Sequence, residues 1–503
     1  MPSGYNAGMT RTLRSYLSEY PRIMLEAIAE GWSIALTDEQ VPEIVERLVA
    51  EMTSAANVER VLQRLGESER EALAYVAANG QARAHIVARK YGGLRHLGAG
   101  RLEWEQAWHE PASAMERLWF LGLLYEGYGA DEGFRGKVFF IPTELLAVLP
   151  SMHVALPLFQ VKAASPPPIA HYDQDALARD VFVLLSYARN NELRGKRDIL
   201  SARDLSRLQP RLAGARNPAR LQFLQHLCKE ARFITFADGA WKPTNEAANW
   251  LKGEALARRR VLFLAWLQDA RWNELRLLPS VRCEGTNWRN EPILGRQGVL
   301  GYLRQCPIGS WWTVTSFVEA MHEVAPDFLR LDGDYDSWHI RDARTGQFLL
   351  GFDHWERVEG ALIRYLLECP LTWLGVVALG RPKEDEPVDC CMLTPEGAAI
   401  LGLQEVPVCP RRPFVVQSDL QVIVPREASW YDRFLLERFA RWVEERKEFA
   451  RYALDGSTVR ACVASGVSVD QILAFLQRAS AQRVPERVAR IVRAWSTTKP
   501  PTS

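Results

Sequence analysis

A chain of 503 residues is too long for one hydrophobic core and divides into about three to five domains. Its 48% hydrophobic and 24% charged residues exclude a disordered chain, and a net charge of +1 excludes a global electrostatic pull toward nucleic acid or membrane. The longest apolar run, 371–379, falls far below the roughly 18 residues a bilayer span needs, and residues 1–30 carry no secretory pattern, so a soluble, cytoplasmic protein with no membrane partner is expected.

In chain order, Val41, Ile44, Val45, Leu48 and Val49 share one helical stripe. Ser68 with Glu71 has capping-box spacing and opens a helix that ends near Gly80. Shorter helices are predicted at 82–90, stopped by Gly92-Gly93, and at 112–121 behind Pro111. The periodicity then changes to β-rich runs at 124–126 and 138–141 around a Gly/Asp-rich stretch. Three helices followed by a hairpin is the order of a winged helix, a helix-turn-helix completed by a β-ribbon.

The order recurs after the Pro-rich break 163–168. Helices at 173–190, 201–208 and 218–231 lead into strands at 233–236 and Trp241 around Asp238-Gly239, a strong two-residue turn signal. A third set, 254–352, ends in runs 338–341 and 347–350 joined through Thr345-Gly346. A fourth starts at Val358 and contains a strand at 390–393. Three of these strands run into a short helix marked by Thr143-Glu144, Thr244 with Glu246, and Thr394 with Glu396, each with Leu five residues after the Glu. Thr suits a cap and Glu the positive helix end, so the three starts read as a degenerate repeat or as separate helices with common start signals. Nine Trp between 250 and 373 read as packing residues, with base stacking as the alternative. The eight cysteines form no C-x-x-C pair and read as buried thiols of a reducing compartment.

The fold class is therefore mainly α with small β hairpins (α+β): tandem winged-helix-like modules followed by a small C-terminal α/β domain. The expected boundaries are 1–160, 170–252, 253–409 (Trp-rich, two modules) and 410–497, with 498–503 a flexible tail.

From Phe414 the chain reads as a strand, a polar turn and a second strand. A charged helix at 431–449, a short helix to Ala464, a longer one from Ser468 and a last one after Pro485 follow. Gln417, Asp419, Val422 and Pro425 fit Q-x-D-x-x-V-x-x-P, and Tyr452 and Leu454 fit Y-x-L. Gly466, Ile472, Leu473, Phe475, Leu476, Pro485 and Trp495 complete the pattern. This segment resembles the N-terminal, damage-recognition-like domain of XPB-type DNA repair helicases, a domain also found in bacterial helicase-associated proteins without the motor. Thr458 stands where the family has Ser, and Asp455 departs from its Ser/Thr. The resemblance covers about one sixth of the chain and implies DNA repair, sensing of distorted DNA and binding of partner proteins.

The chemistry of a motor is absent from the sequence. A nucleotide cradle needs G-x-x-x-x-G-K-[ST], but Gly136-Lys137 and Gly195-Lys196 lack that context. His109-Glu110 and His322-Glu323 lack the second His of a zinc-protease helix, and Ser465 lacks the glycines of a nucleophile elbow. Residues 332–336 begin like a calcium loop but lack its Gly and closing Glu, and read as a hairpin turn. The expectation is no enzyme, no cofactor, no catalytic residue and no metal.

Basic residues are local. Residues 410–503 carry 16 Lys+Arg against 10 Asp+Glu, a net of +6, and the remainder nets −5. Residues 189–220 hold nine Lys+Arg against three acids, on the turn and second helix of the second set, where helix-turn-helix proteins approach the DNA backbone. In the last helix Val484, Val488, Ile491 and Trp495 form the buried stripe, leaving Arg487, Arg490 and Arg493 outward. The candidate nucleic-acid contacts are Lys196, Arg197, Arg203, Arg207, Arg211, Arg487, Arg490 and Arg493. A solvated face is the alternative for either stretch. The expected function is a non-catalytic DNA-binding or repair-associated adaptor for duplex, forked or single-stranded DNA, accessory to a separate helicase or nuclease. The alternatives are a protein-interaction scaffold and a transcriptional regulator.

Overall fold

In a computed structural model describing residues 12–131, 134–152, 158–172, 174–195, 199–213, 217–285 and 288–497, these signals condense into two compact units. One is Met1–Leu158 with Arg330–Ser337; the other is Phe159–Leu329 with Trp338–Ser503. The expected tail at 498–503 lies outside the described residues. The mixed α+β class holds, with many helices and small antiparallel sheets. Among the described residues no single helix is long and apolar enough to cross a membrane.

The first unit opens with α1 (Leu13–Ser18), α2 (Arg22–Gly31), α3 (Val41–Met52) and α4 (Ala55–Gln63). Ile44, Val45 and Leu48 of the expected stripe enter its core. Next come α5 (Glu67–Asn79), β1 (Gln81–Arg83), α6 (Ala84–Tyr91), α7 (Ala99–Glu105), α8 (Ala114–Phe120), β2 (Tyr125–Asp131), β3 (Phe134–Phe140) and α9 (Thr143–Leu146). The capping box sits two residues earlier than expected: the Gly66 N–H donates to Glu69 Oε2 at 2.8 Å, so Ser68 lies inside the first turn. The helix expected at 82–90 yields its first residues to β1, because Ala82 pairs with Phe139 and extends the hairpin to the order β1-β3-β2. Such a pairing is long-range and leaves no periodic mark in three residues.

The second unit begins with β4 (Ile169–His171), α10 (Ala176–Asn190), α11 (Ala202–Leu208), α12 (Pro218–Glu230), β5 (Ile234–Ala237), β6 (Ala240–Pro243) and α13 (Asn245–Lys252). Asp238 (φ 52°) and Gly239 (φ 78°) form the expected turn, whose two positive φ angles suit Asp-Gly. Leu193 bridges to Trp241, adding a third edge where β1 stands in the first unit.

The order is repeated further on. After α14 (Ala255–Leu267) and β7 (Val281–Cys283) come α15 (Pro292–Leu303), β8 (Trp311–Thr313), α16 (Val314–Val324), β9 (Ile340–Asp342), and a helix over 356–371 with α17 (Ala361–Leu366) at its centre. β10 (Val377–Arg381), β11 (Cys390–Leu393) and α18 (Pro395–Ile400) close it. The sheet runs β4-β10-β11-β8, so strands assigned by sequence to a fourth set pair with a strand of the third. The hairpin expected at 338–350 forms in part: Arg341 bridges to Phe348, the Asp342 N–H donates to the Gln347 carbonyl and the Leu349 N–H to that of Ile340, both at 2.9 Å, while β9 takes β7 as its strand partner. Residues 332–336 make a turn, with Asp334 Oδ1 accepting the N–H of Asp336 and Ser337, but no hairpin: β9 begins only at Ile340. Of the repeated helix starts, Thr244 and Thr394 cap α13 and α18. Pro142 takes the cap position of α9, so Thr143 becomes its first residue. Eight of the nine clustered Trp are buried and Trp311 is half-buried, which fits the packing reading.

The C-terminal module holds β12 (Val415–Val416), β13 (Gln421–Pro425), α19 (Trp430–Leu436), β14 (Ala440–Glu445), β15 (Phe449–Leu454), α20 (Gly456–Ala464), α21 (Val469–Ser480) and α22 (Glu486–Thr497), with sheet order β12-β13-β15-β14. The charged helix expected at 431–449 is corrected: only its first turns are helical, and 440–445 form a strand paired with β15. Charged residues permit a helix there, but pairing Trp442 across from the fully buried Tyr452 decides the matter. Val422, Val424, Tyr452, Leu454, Ile472, Leu476, Val488 and Val492 fill the core.

Candidate nucleic-acid interface

In helix-turn-helix docking, the last helix before the hairpin enters the groove and needs a free face. In each of the three sets the inner side of that helix is packed, while Ala219 and Gln222 of α12 and Glu356 and Arg357 of the helix over 356–371 stay exposed. On α8, Met115, Glu116, Leu118 and Phe120 are buried, and half-buried Trp119 donates Nε1–H to Tyr20 Oη at 3.0 Å. On α12, fully buried Phe223 packs on Trp272 at 5.2 Å and Trp373 at 5.3 Å, and His226 lies 4.9 Å from Trp272. The helix over 356–371 buries Val358, Glu359, Leu362, Ile363, Leu366 and Leu367.

The basic stretch 189–220 divides by partner. Arg203 and Arg207 are exposed on α11, whose start is fixed by Ser201 and Asp204 in a reciprocal cap. Asp204 also accepts the Tyr187 hydroxyl at 2.9 Å. Burial alone would raise its carboxyl, but the hydrogen bonds from Ser201 and Tyr187 hold it below the usual range. Arg211 turns inward: it pairs with Glu437 of the C-terminal module and lies 5.4 Å from the Trp442 ring. Its side chain is 13% exposed and that of Glu437 6%. Arg220 pairs with Asp180, itself 1% exposed, and Arg194 pairs with Glu192 at the surface. Lys196, Arg197 and Arg216 lie outside the described residues.

The last helix behaves differently. Val488 and Val492 are fully buried; Ile491 and Trp495 are half-buried. Arg487, Arg490 and Arg493 point outward, as the stripe predicts. Arg493 stands 3.7 Å from Asp470. Among the described residues, Arg487 and Arg490 have no acidic partner.

The seam around Glu437 carried no sequence signal. Tyr452 donates to Glu437 Oε1 at 2.7 Å, and Arg433 Nε donates to the Tyr452 oxygen at 2.7 Å while its Nη atoms hold Glu445. Burial pushes the Tyr452 hydroxyl up, so it stays a donor. Trp430 sits among Phe182 at 5.7 Å, Trp250 at 5.9 Å and the Arg258 guanidinium at 3.9 Å. Phe182, Trp250 and Arg258 lie 248, 180 and 172 residues from Trp430 in the chain, and spacing gives no hint of them.

Other chemistry-bearing groups are committed. The ligand atoms of His226, Glu230 and Asp269 lie within 4.8 Å of one another, but Arg271 bridges both carboxylates and Asp269 pairs with His226, so the group neutralises itself. No two cysteines are bridged; Cys409 is exposed, Cys283 and Cys369 are half-buried, and the rest are buried. Burial pushes the thiols of Cys306 and Cys369 up to about 12, which keeps them protonated.

A family model described as a helicase conserved C-terminal domain matches residues 414–498, which span the four-stranded sheet and α19 to α22. No curated protein matches the chain. The match makes the C-terminal module helicase-related and extends over about one sixth of the sequence.

Proposed function

We propose that this protein is a non-catalytic, intracellular adaptor that brings a separate helicase or nuclease to DNA, with the C-terminal module as the DNA contact. The observation that carries this reading is α22: Arg487 and Arg490 project from a helix locked by Val488 and Val492, with no acidic partner among the described residues. Guanidinium groups held this way suit phosphate contacts, which are salt-dependent and indifferent to sequence. The match to a helicase conserved C-terminal domain supports a helicase-associated setting; a role in DNA repair rests on the sequence resemblance of 414–495 alone. The recurring order of helix, edge strand, two or three helices and hairpin, with the edge strand against the second hairpin strand, supports reading the other sets as winged helices. Arg203 and Arg207 extend the proposed contact, together with Lys196 and Arg197.

The test is fluorescence-anisotropy titration of duplex, forked and single-stranded oligonucleotides across a range of salt. Binding that weakens steeply with salt and is reduced in the Arg487→Ala/Arg490→Ala variant supports the reading; no binding at about 50 mM salt, where phosphate contacts are strong, defeats it. A second reading, a protein-interaction scaffold, is favoured by α8, every residue of which is buried or half-buried. That reading expects no DNA binding and a partner protein retained at high salt.

A further inference from the structure

We propose that Arg189 and Arg438 form a phosphate-binding site at the seam between α10 and the C-terminal module. The site is distinct from α22 and stands whether or not α22 binds DNA.

Most inward-turned arginines near this seam have an acid: Arg211 has Glu437, Arg220 has Asp180 and Arg433 has Glu445. Arg189 and Arg438 do not. Arg189 is half-buried near the end of α10, its guanidinium 4.5 Å above the Phe434 ring. Arg438 donates from Nη2 to Ser465 Oγ at 3.2 Å, and Ser465 Oγ in turn donates to the Cys462 carbonyl at 2.7 Å. Asn190, next to Arg189, donates from Nδ2 to the carbonyl oxygen of Glu437, next to Arg438, at 3.0 Å, which draws the two arginine-bearing segments together. Among the described residues neither guanidinium has a carboxylate partner.

Two like charges in a half-buried seam repel one another and lose solvation. Burial first, and Arg438 second, lower the pKa of Arg189. Burial pushes the Cys462 thiol up, and the charges of Arg438 and Arg189 act against that shift. The carbonyl ends of α10 and α20 favour a cation nearby, each with about half a charge, which leaves net positive charge unmatched. An anion with several oxygens matches two guanidinium forks, and a phosphate group suits that geometry better than a monovalent halide. Phe434 fixes the plane of Arg189 and Ser465 anchors Arg438, so both donors are held in place before the anion arrives.

The experiment is isothermal titration calorimetry of the full chain with inorganic pyrophosphate at about 20 mM salt, where screening is weak. Arg189→Gln and Arg438→Gln are each expected to weaken binding about tenfold or more, while Arg189→Lys, which keeps the charge, retains part of it. Thermal melting of each variant identifies any that fails to fold, and the other then decides. No heat with wild-type protein, or binding by both Gln variants as tight as that of the wild type, overturns the site. The source is separated by anisotropy with a single-stranded oligonucleotide. Weakened oligonucleotide binding in Arg189→Gln assigns the site to a nucleic-acid backbone; unchanged oligonucleotide binding with lost pyrophosphate binding assigns it to a small phosphate compound. The Arg487→Ala/Arg490→Ala variant should still bind pyrophosphate, so a failure of α22 as a DNA contact remains distinguishable.

Discussion

The two arginine-rich stretches look alike as sequence and differ as surfaces. In 189–220, Arg211 and Arg220 are drawn into pairs with Glu437 and Asp180, and Arg189 lies on Phe434. In α22, Arg487 and Arg490 stand free of acidic partners among the described residues. The difference comes from where the acids are. Asp180 and Glu437 lie on other elements, 40 and 226 residues from the arginines they hold, so local charge counting cannot find them. Arginine density marks a stretch rich in cations; the placement of distant carboxylates decides whether those cations face water.

The contrast is sharpest in stability. Arg220→Ala takes the guanidinium from Asp180, which stays buried and keeps the Ala213 N–H among its contacts. The expected loss is about 3–5 kcal/mol, read as a lower midpoint in urea unfolding. Arg211→Ala should cost less, about 2 kcal/mol, because Glu437 keeps the Tyr452 hydroxyl. In α22 the expectation reverses: Arg487→Ala/Arg490→Ala should change stability by no more than about 0.5 kcal/mol, yet lower the salt slope of DNA binding by about 2. If Arg220→Ala leaves the midpoint unchanged, or the α22 variant shifts it strongly, the division between the two stretches fails.

The acid limb gives a smaller effect of the same kind. Burial alone would raise the Glu445 carboxyl, but the charge and hydrogen bonds of Arg433 outweigh it and hold the group below its usual value. A depressed carboxyl contributes stability above its unfolded value of about 4.3 and loses it as pH falls through the lower folded value. Melting temperature should therefore drop below about pH 4, and Glu445→Gln should flatten that limb.

What the sequence made legible follows from what is local. The Asp238-Gly239 turn, the Thr244 and Thr394 caps, the Ser468 start of α21 and the outward face of α22 rest on neighbours within a few residues, and all four appear as expected. What was hidden depends on pairing across the chain. Strand β8 is only three residues long, and its pairing with β11 joins two sets that periodicity separates. Segment 440–445 has helix-forming residues, yet β15 captures it as a strand. The burial of α12 under Trp272 and Trp373 was equally hidden, although both tryptophans were recognised as packing residues.

Amide hydrogen exchange of the full chain, with and without duplex DNA, tests the central claim most directly. DNA should slow exchange in 486–497 and leave 114–120 and 218–230 unchanged, since the proposed contact lies on α22. Slowed exchange in either of those two helices with 486–497 unaffected would contradict it.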